Sequence, residues 1–375
     1  MSVEGGPLIV SQPERTWIGP EESSSPRARE WTARLARYRT ADNLKAWRQL
    51  SCTTLSFLAF WILMWFSLDH SYVATLLLSI PTAGFLLRLF IIQHDCGHWS
   101  FVTSGSANDA LGTILSVLTL TPYHHWQKNH LLHHASSGDL DRRGHGDIRM
   151  LTTLEYRSRS PRQRFWYRVF RNPWVLFFVA PVFHFVVMQR FPYYTSWSWK
   201  KAPPVSPDEA QGWKKEQRSV YLTNILVGTA LLVVGLLVGF PRLVAVHLPV
   251  AVLASAAGMW LFHVQHCFPG TYWARHAEWD YGRAGMQGSS YYKLPKALQW
   301  LTANIGLHHV HHLDSRIPNY RLQECLDEVP ELQRVTPLTL WGSVPCATLS
   351  LWHEPERRYV RFMDVKDDGA RPRAG

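Results

Sequence analysis

Residues 72–98 read YVATLLLSIPTAGFLLRLFIIQHDCGH, a stretch in which a long apolar run leads into two histidines. The run Tyr72–Ile92 is interrupted only by one proline and one arginine. It is long enough to cross a bilayer as a helix, for which about 20 mostly apolar residues suffice. His94 and His98 follow four residues apart, so a continuing helix would place both imidazoles on one face. The stretch therefore predicts a membrane span that carries two candidate metal ligands at one end.

Three further apolar runs extend this pattern to two helical hairpins. Ser51–Leu68 carries no charge and is separated from Tyr72 by a short turn. Two later runs, Tyr221–Phe240 and Leu243–Phe268, are joined by a tight turn at Pro241-Arg242. Each pair of runs would cross the membrane and return. The predicted spans are about 51–68, 72–92, 221–240 and 243–266.

The basic residues indicate which side of the membrane the other segments occupy. Of 39 Lys and Arg residues, only Arg242 lies in an outer turn, and Arg88 lies near a helix end. The others flank or fill the segments on the opposite side, and positive charge accumulates on the cytoplasmic side of membrane proteins. The predicted fold class is therefore an all-α integral membrane protein. Four transmembrane helices form two hairpins, and a cytoplasmic helical domain that carries the histidines caps them.

The segments outside the spans complete the predicted domain organisation. Residues 1–26 are polar and rich in Gly, Pro and Ser, which is typical of a disordered tail. Residues 27–354 are expected to form one membrane domain, and residues 355–375 a charged C-terminal tail. A fifth apolar stretch, Pro173–Met188, is short for a span and contains an internal proline and histidine. It is expected to lie in the membrane interface or to dip into the bilayer.

The composition favours a membrane protein over a nucleic-acid-binding one. The chain contains 18 Trp, 14 Tyr and 17 Phe, and aromatic residues are enriched at membrane interfaces. The net charge of +11 fits anionic lipid headgroups, because the apolar runs argue for a bilayer nearby. The five cysteines form no CxxC pair and predict free thiols.

Histidines form three clusters with helical spacing, at residues 94–98, 130–134 and 308–312. Positions i, i+3 and i+4 share a helix face, so each cluster can aim two or three imidazoles at a common point. These eight imidazoles are too many for one four-coordinate zinc ion and suit a pair of transition-metal ions with open positions. Zinc hydrolysis is disfavoured, because the chain contains no HExxH motif.

Two histidines near the clusters are open to more than one interpretation. His266 ends the fourth apolar run and is expected to be a ninth ligand. His263 lies one turn deeper, where it is either a ligand or a buried, hydrogen-bonded side chain. His309 lies within the third cluster but off its common face. Nearby carboxylates would orient the imidazoles, and the candidates are Asp95, Asp139, Asp147, Glu278, Asp280 and Asp314.

The order HxxxH, HxxHH, HxxHH, divided by two hydrophobic hairpins, resembles the histidine boxes of membrane fatty acid desaturases. The likeness runs from about residue 50 to about residue 325. The first box as HDCGH is similar to the acyl-lipid omega-6 (Δ12) branch. Further similar stretches are Gly138–Arg143, Gly146-Asp147, Val264–His266 and Pro318–Leu322. The second box departs from the plant pattern, since Leu131-Leu132 stands where two arginines are frequent.

The resemblance implies an oxidoreductase that uses O2 to insert a cis double bond into a lipid acyl chain, of the Δ12/omega-6 type. It implies a non-haem di-iron centre and two electrons per double bond, supplied by a separate ferredoxin or cytochrome b5-like carrier. The implied ligands are His94, His98, His130, His133, His134, His266, His308, His311 and His312. The acyl chain would occupy an apolar tunnel lined by aromatics such as Trp99, Tyr123 and Trp126. A bacterial inner membrane is the expected location, with the boxes facing the cytoplasm.

Two other functions are compatible with the same residues. A histidine-box hydroxylase or ketolase acting on lipid, carotenoid or alkane would use the same metals and the same oxidant. A non-catalytic metal carrier would place its ligands within the spans near mid-membrane, whereas these clusters follow the span ends. The motifs leave chain length, acyl-lipid or acyl-CoA substrate, electron donor and oligomeric state open.

Overall fold

The computed structural model describes residues 26–144, 146–192 and 213–365, and these ranges are mainly helical. The α-helices are α1 (Pro26–Leu35), α2 (Asn43–Leu68), α3 (Tyr72–Gly97), α4 (Gly105–Thr119), α5 (Tyr123–Ser136), α6 (Thr153–Arg157), α7 (Pro161–Phe170), α8 (Ala180–Val186), α9 (Lys214–Val238), α10 (Phe240–His266), α11 (Tyr281–Gly288), α12 (Lys296–Leu301), α13 (His308–Leu313) and α14 (Leu322–Glu328). The strands are β1 (Leu151–Thr152), β2 (Tyr292–Lys293), β3 (Leu338–Thr339), β4 (Leu351–His353) and β5 (Arg358–Val360). The short 3-10 helices are Ala36–Tyr38, Met188–Arg190, His276–Glu278, Asn319–Arg321, Leu332–Arg334, Val344–Thr348 and Phe362–Asp364. The chain is a π-helix at Val175–Val179.

Helices α2, α3, α9 and α10 are long and apolar enough to cross a membrane, which confirms the predicted all-α membrane fold. The helices extend beyond the apolar runs that define them. Helix α2 begins at Asn43 rather than Ser51, because the Asp42 carboxylate accepts hydrogen bonds from the backbone N–H groups of Leu44 and Lys45. This N-cap satisfies donors that a helix start leaves unpaired.

The two hairpin turns have different local causes. Ser71 caps α3, since its hydroxyl accepts a hydrogen bond from the backbone N–H of Ala74 at 3.3 Å. Gly239 separates α9 from α10 with a φ of 89°, a conformation that glycine adopts without steric cost. The sequence prediction placed this second turn at Pro241-Arg242. In the structure both residues lie in the first turn of α10, where a proline loses no hydrogen bond.

Helix α3 is the central span. It packs against α2, α4 and α10. Of the 18 most apolar consecutive residues in each helix, 61% are buried in α3 and 17% in α2. Its buried side chains Leu89 and Ile92 belong to one core cluster with Phe57 of α2 and Val250 of α10. The outer helices instead expose large apolar side chains, as expected of surfaces that face lipid. The first histidine cluster therefore lies at the end of the most enclosed helix.

Short helices and strands pack together beyond the ends of the spans. Strand β4 pairs in parallel with β1 and antiparallel with β5, and β2 pairs in parallel with β3. Strand β5 belongs to the stretch 355–375 for which the sequence predicted a charged tail. It pairs because Val360 is buried in a cluster with Leu351. Residues 1–25 and 366–375, which include most of the predicted N-terminal tail and the last ten residues of the predicted C-terminal tail, lie outside the described residues.

The chain bends at the start of the fifth apolar stretch. Pro161–Phe170 and Val175–Arg190 are together apolar enough for one span, but they meet at 62°, as in a broken span or a re-entrant segment. The π-helix at Val175–Val179 widens the chain at the start of the second arm, and Pro181 follows in α8. The part of the chain after the bend, Val175–Arg190, lines the cavity next to the histidines. The sequence predicted that this part lies in the membrane interface or dips into the bilayer.

Candidate metal centre

Five histidines from three helices form the first group of candidate ligands. Ligand atoms of these five side chains all lie within 4.8 Å of one another. The Nε2 atom of His134 is 3.1 Å from that of His130 and 3.0 Å from that of His311. His94 and His98 complete the group from the end of α3. The contacts join the first, second and third histidine clusters of the sequence at one point.

Four histidines form a second group beside the first. Ligand atoms of His133, His266 and His312 lie within 4.8 Å of one another. The Nε2 atom of His266 is 3.1 Å from that of His133 and 3.0 Å from that of His308. The structure therefore brings together all nine histidines that the sequence singled out, including His266 at the end of α10.

The clusters divide between the two groups in a way that the sequence argument did not specify. Both histidines of the first cluster join the first group. In α5, His130 and His134 point to the first group and His133 to the second. Successive residues of a helix are rotated by about 100°, so adjacent histidines diverge. The second and third clusters thus lie between the two groups and supply both, rather than aiming at one point each.

The geometry fits metal ions better than a network of hydrogen bonds. Nitrogens bound to one ion at about 2.1 Å and at right angles lie about 3 Å apart, which matches the Nε2 separations. Hydrogen bonds do not account for all ring nitrogens, since both nitrogens of His98 lack a partner among the described residues. His98 is 2% exposed, and buried polar atoms of proteins normally have a partner.

Burial also keeps the imidazoles in the form that binds metals. Desolvation, and to a smaller extent the neighbouring imidazoles, lowers the pKa of six of these histidines well below the ordinary value. The six are His98, His130, His134, His308, His311 and His312. These rings are therefore neutral at pH 7, and each has a nitrogen lone pair available.

A carboxylate orients His133 within the second group. The Nδ1 atom of His133 donates to Oδ1 of Asp147 at 2.6 Å, which leaves Nε2 free to face the other ligands. Gly146 makes this approach possible. Its φ is 65°, and a Cβ there would lie 3.1 Å from both the Asn129 carbonyl oxygen and the His133 Cβ.

A second carboxylate contacts the first group. The Nδ1 atom of His94 lies 3.0 Å from Oδ1 of Asp95. Asn319 fixes that carboxylate from the far side, because its backbone N–H and its side-chain amide both donate to Oδ2, at 2.6 and 2.8 Å. His266 has a weaker support, since its Nδ1 lies 3.4 Å from the Gly288 carbonyl oxygen.

The other four candidate carboxylates make different contacts. Asp139 accepts from His276, and Asp314 pairs with Arg39 and Arg316. Glu278 contacts Arg357, and the Asp280 side chain caps α11. Sequence proximity therefore identified the two supporting carboxylates but did not distinguish them from the rest.

Two ambiguous histidines lie outside both groups. The Nε2 atom of His263 bonds the Cys346 carbonyl oxygen at 2.8 Å. The Nε2 atom of His309 bonds the Leu332 carbonyl oxygen at 3.2 Å. Each is a buried, hydrogen-bonded side chain, which was one of the two interpretations offered for His263.

An apolar cavity of about 220 Å³ adjoins the histidines. His94, His130 and His308 line one part of it, apolar side chains of α3, α8 and α10 line most of the rest, and some polar side chains complete the wall. The Trp126 ring stacks on His130 with centroids 4.5 Å apart and forms part of the wall. Trp99 and Tyr123, also predicted to line a tunnel, instead bond the Asp109 carboxylate.

The sequence matches the family model described as fatty acid desaturase over residues 70–342. The chain belongs to the fatty acid desaturase family. All nine candidate ligands of this desaturase lie within the matched range. Membership makes it an oxidoreductase that acts on lipid acyl chains, as the resemblance of its histidine boxes predicted.

Individual relatives cover most of the desaturase. A protein of Bacillus subtilis named fatty acid desaturase is 38% identical over 346 residues, which are 92% of this chain and 94% of the relative. A protein of Anabaena variabilis named sn-1 oleoyl-lipid 12-desaturase is 26% identical over 76% of this chain and 77% of its own. A chloroplastic omega-3 fatty acid desaturase of Brassica napus is 29% identical over 64% and 56% of the two chains.

Proposed function

We propose that this desaturase holds two iron ions and uses O2 to insert a cis double bond at the Δ12 position of a lipid acyl chain. The observation that carries the proposal is the pair of adjacent histidine groups at the wall of an apolar cavity. The first ion would be held by His94, His98, His130, His134 and His311. The second would be held by His133, His266, His308 and His312.

The donor set supports iron. Imidazole nitrogens suit iron, copper, zinc and nickel, and the resemblance to the membrane fatty acid desaturases selects iron from that set. Two iron ions would supply the reductive activation of O2 that removal of hydrogen from a methylene group requires. The two supporting carboxylates, Asp147 and Asp95, accept from ring nitrogens and so direct the opposite nitrogens of His133 and His94 inward.

The cavity would bind and position the acyl chain. Its walls are mostly apolar, so an acyl chain displaces water from it favourably. Because His94, His130 and His308 line the same cavity, a bound chain passes beside both groups. One double bond requires two hydrogens from adjacent carbons. O2, two electrons and two protons then balance the reaction as two water molecules.

The finer specificity rests on sequence similarity. The Anabaena relative is named a 12-desaturase acting on an oleoyl lipid, and the HDCGH box resembles the Δ12 branch. The oleoyl chain is therefore the proposed substrate, and the new bond would lie between carbons 12 and 13.

Electron supply and membrane orientation are part of the same proposal. A separate ferredoxin or cytochrome b5-like protein would donate the electrons, as the resemblance to the membrane fatty acid desaturases implies. The distribution of Lys and Arg supports a cytoplasmic location for both histidine groups, and a bacterial inner membrane is the proposed host. Residues 27–354 would act as one membrane domain that binds both substrate and iron.

The deciding experiment is a fatty acid profile of aerobic cells that express the chain and receive oleate and an electron donor, with cells expressing His311→Ala as the control. New linoleate that is absent from the control supports the proposal. A double bond elsewhere retains desaturation and overturns the Δ12 assignment. A hydroxylated product would instead establish the hydroxylase alternative. Purified protein with two irons per chain and no oxidised product would contradict the proposed function.

A further inference from the structure

The wall of the apolar cavity includes a polar part that is formed by residues other than the proposed metal ligands. His125 and Asn129 from α5, and Gln189 from the end of the bent segment, all line the cavity. Their side chains are more than nine-tenths buried, with exposed fractions of 4%, 6% and 7%. Polar side chains are rarely enclosed in this way unless they have a hydrogen-bond partner.

These side chains have unused hydrogen-bonding atoms. Neither ring nitrogen of His125 has a partner within the described part of the chain, and the same holds for the side-chain oxygens of Asn129 and Gln189. Burial lowers the pKa of His125 to about 4, so at pH 7 the ring is neutral, with one donor and one acceptor. The cluster thus offers a hydrogen-bond donor and several acceptors to whatever occupies the cavity.

The side chains of Asn129 and Gln189 are held in place by other contacts. The side-chain amide of Asn129 donates to the backbone carbonyl of His125 at 2.9 Å. The side-chain amide of Gln189 lies 3.0 Å from Nε2 of His184. Their remaining polar atoms are therefore fixed in the cavity wall, which favours a preformed binding site over adaptable surface groups.

The cluster lies near the start of α9, one of the four helices that are apolar enough to cross a membrane. The ring of His125 is 6.2 Å from that of Trp213, which immediately precedes α9. Lys128 lies over the same tryptophan ring, at 4.1 Å from its centroid. Tryptophan beside a cationic residue at the end of a span is typical of the membrane interface. The acyl carbonyl groups of membrane lipids are found at this level.

We propose that His125, with Asn129 and Gln189, binds the acyl carbonyl end of the substrate and thereby sets where the chain is oxidised. This inference rests on the proposed function for the identity of its ligand. The His125 N–H donates to the carbonyl oxygen, and the two amide oxygens accept from hydroxyl or ammonium groups of the attached headgroup. The acyl tail then follows the apolar walls of α3, α8 and α10.

The anchor has a defined relation to the metal centre. His125 precedes His130 by five residues in α5. Between them, Trp126 stacks on His130. One rigid helix therefore carries both the carbonyl site and a metal ligand. We expect the desaturase to count the position of its double bond from the carbonyl end of the chain, whatever the chain length.

The first test measures binding to the full-length protein without an electron donor, so that it does not depend on catalysis. The probes are a dioleoyl phospholipid and its dialkyl ether analogue, which lacks the carbonyl oxygens. Wild-type protein should bind the ester about tenfold more tightly, as expected from one or two added hydrogen bonds. His125→Phe should abolish this preference. His247→Phe is the matched control, because it makes the same change at another cavity-lining residue, in α10, and should retain the preference.

Oleoyl-coenzyme A serves as a third probe, because its thioester carries the same carbonyl group. The carbonyl compound with the higher affinity identifies the source of the acyl chain. Equal affinity of wild-type protein for ester and ether overturns the carbonyl site, and so does an ester preference that persists in His125→Phe. The wild-type comparison decides the question even if His125→Phe fails to fold.

The second test measures the position of the double bond in the products formed from phospholipids that carry 16-carbon and 18-carbon acyl chains. Wild-type enzyme should place the double bond at the same distance from the carbonyl in both, and Gln189→Met should spread it over adjacent positions. A bond at constant distance from the methyl end overturns the anchor. Absence of any oxidised product would contradict the proposed function instead, while the binding measurements would still decide the carbonyl site.

Discussion

The ring of His133 lies between the Asp147 carboxylate, 2.6 Å from Nδ1, and the Nε2 atom of His266, 3.1 Å from its own Nε2. The carboxylate can only accept, so Nδ1 carries the proton and Nε2 presents a lone pair. Asp147 also accepts from the backbone N–H of Gly144 at 3.3 Å, which fixes the loop that follows α5. The protonation and the orientation of one proposed iron ligand are thus determined by a residue that does not itself point at the metal.

Replacing Asp147 with Asn should weaken metal binding without preventing folding. The amide oxygen remains a hydrogen-bond acceptor but lacks the negative charge that makes the imidazole a stronger ligand. Loss of such a supporting carboxylate typically costs about 10-fold to 100-fold in metal affinity or activity. Iron retained per chain during dialysis against a chelator, measured by elemental analysis, checks this prediction.

Asp141→Asn is the matched control for that measurement. Asp141, like Asp147, lies in the chain that follows α5, but its carboxylate pairs with the Arg275 guanidinium at the surface, at 2.7 Å. It should retain iron like the wild type. Equal iron retention in the Asp147 and Asp141 variants would show that the carboxylate beside His133 does not support metal binding.

The spans could be predicted because each is a local property of the chain. An apolar run such as Tyr72–Ile92 must form a helix in a bilayer, where unpaired backbone groups are costly. The exact turn between α9 and α10 was misplaced, because Pro241 is compatible with both a turn and a first helical position. Only the backbone conformation of Gly239 distinguishes the two.

The candidate ligands could be identified from spacing, but their division between two groups could not. Whether His133 joins His130 or His266 depends on how α5 and α10 pack, which no local pattern records. The same holds for Asn319, whose contact with Asp95 joins residues 224 positions apart. The polar part of the cavity wall could not be predicted from the sequence either, because His125 and Gln189 belong to no recognisable motif.

Single ligand replacements should remove one ion rather than both. His311 belongs to the group of five and His133 to the group of four. His311→Ala or His133→Ala should each abolish turnover and lower iron from two per chain towards one, while membrane insertion is preserved. Iron analysis of detergent-purified protein, with a chromatographic assay for acyl products, tests this. Retained turnover in either variant would refute the assignment of that histidine.

His263→Ala should keep its iron and lose stability. His263 bonds the Cys346 carbonyl oxygen rather than facing the metal groups. Its removal deletes one buried hydrogen bond, worth about 0.5–1.5 kcal/mol, and leaves a cavity, while the Cys346 carbonyl oxygen still accepts from the backbone N–H of Leu349. A lower melting temperature in detergent at unchanged iron content is expected, in contrast to His266→Ala, which should lose iron. Loss of iron in His263→Ala at wild-type thermal stability would make His263 a ligand.

Filling the cavity from α10 should alter substrate choice without touching the histidines. Ala254 is 9% exposed and lines the cavity, so Ala254→Phe places a ring where the acyl chain is expected. Long chains should then react more slowly than short ones, and the ratio of their products should change at least severalfold. Gas chromatography of the products formed from mixed acyl chains measures that ratio.

Ala257→Phe provides the comparison that separates a blocked cavity from a disturbed helix. Ala257 lies three residues further along the same helix but is exposed on its outer surface, away from the cavity lining. A phenylalanine there meets lipid, so the ratio of products should equal that of the wild type. If both variants shift the ratio equally, the helix rather than the cavity determines chain length. A shift in Ala254→Phe alone, at wild-type iron content, means that the chain lies against α10 while it is oxidised.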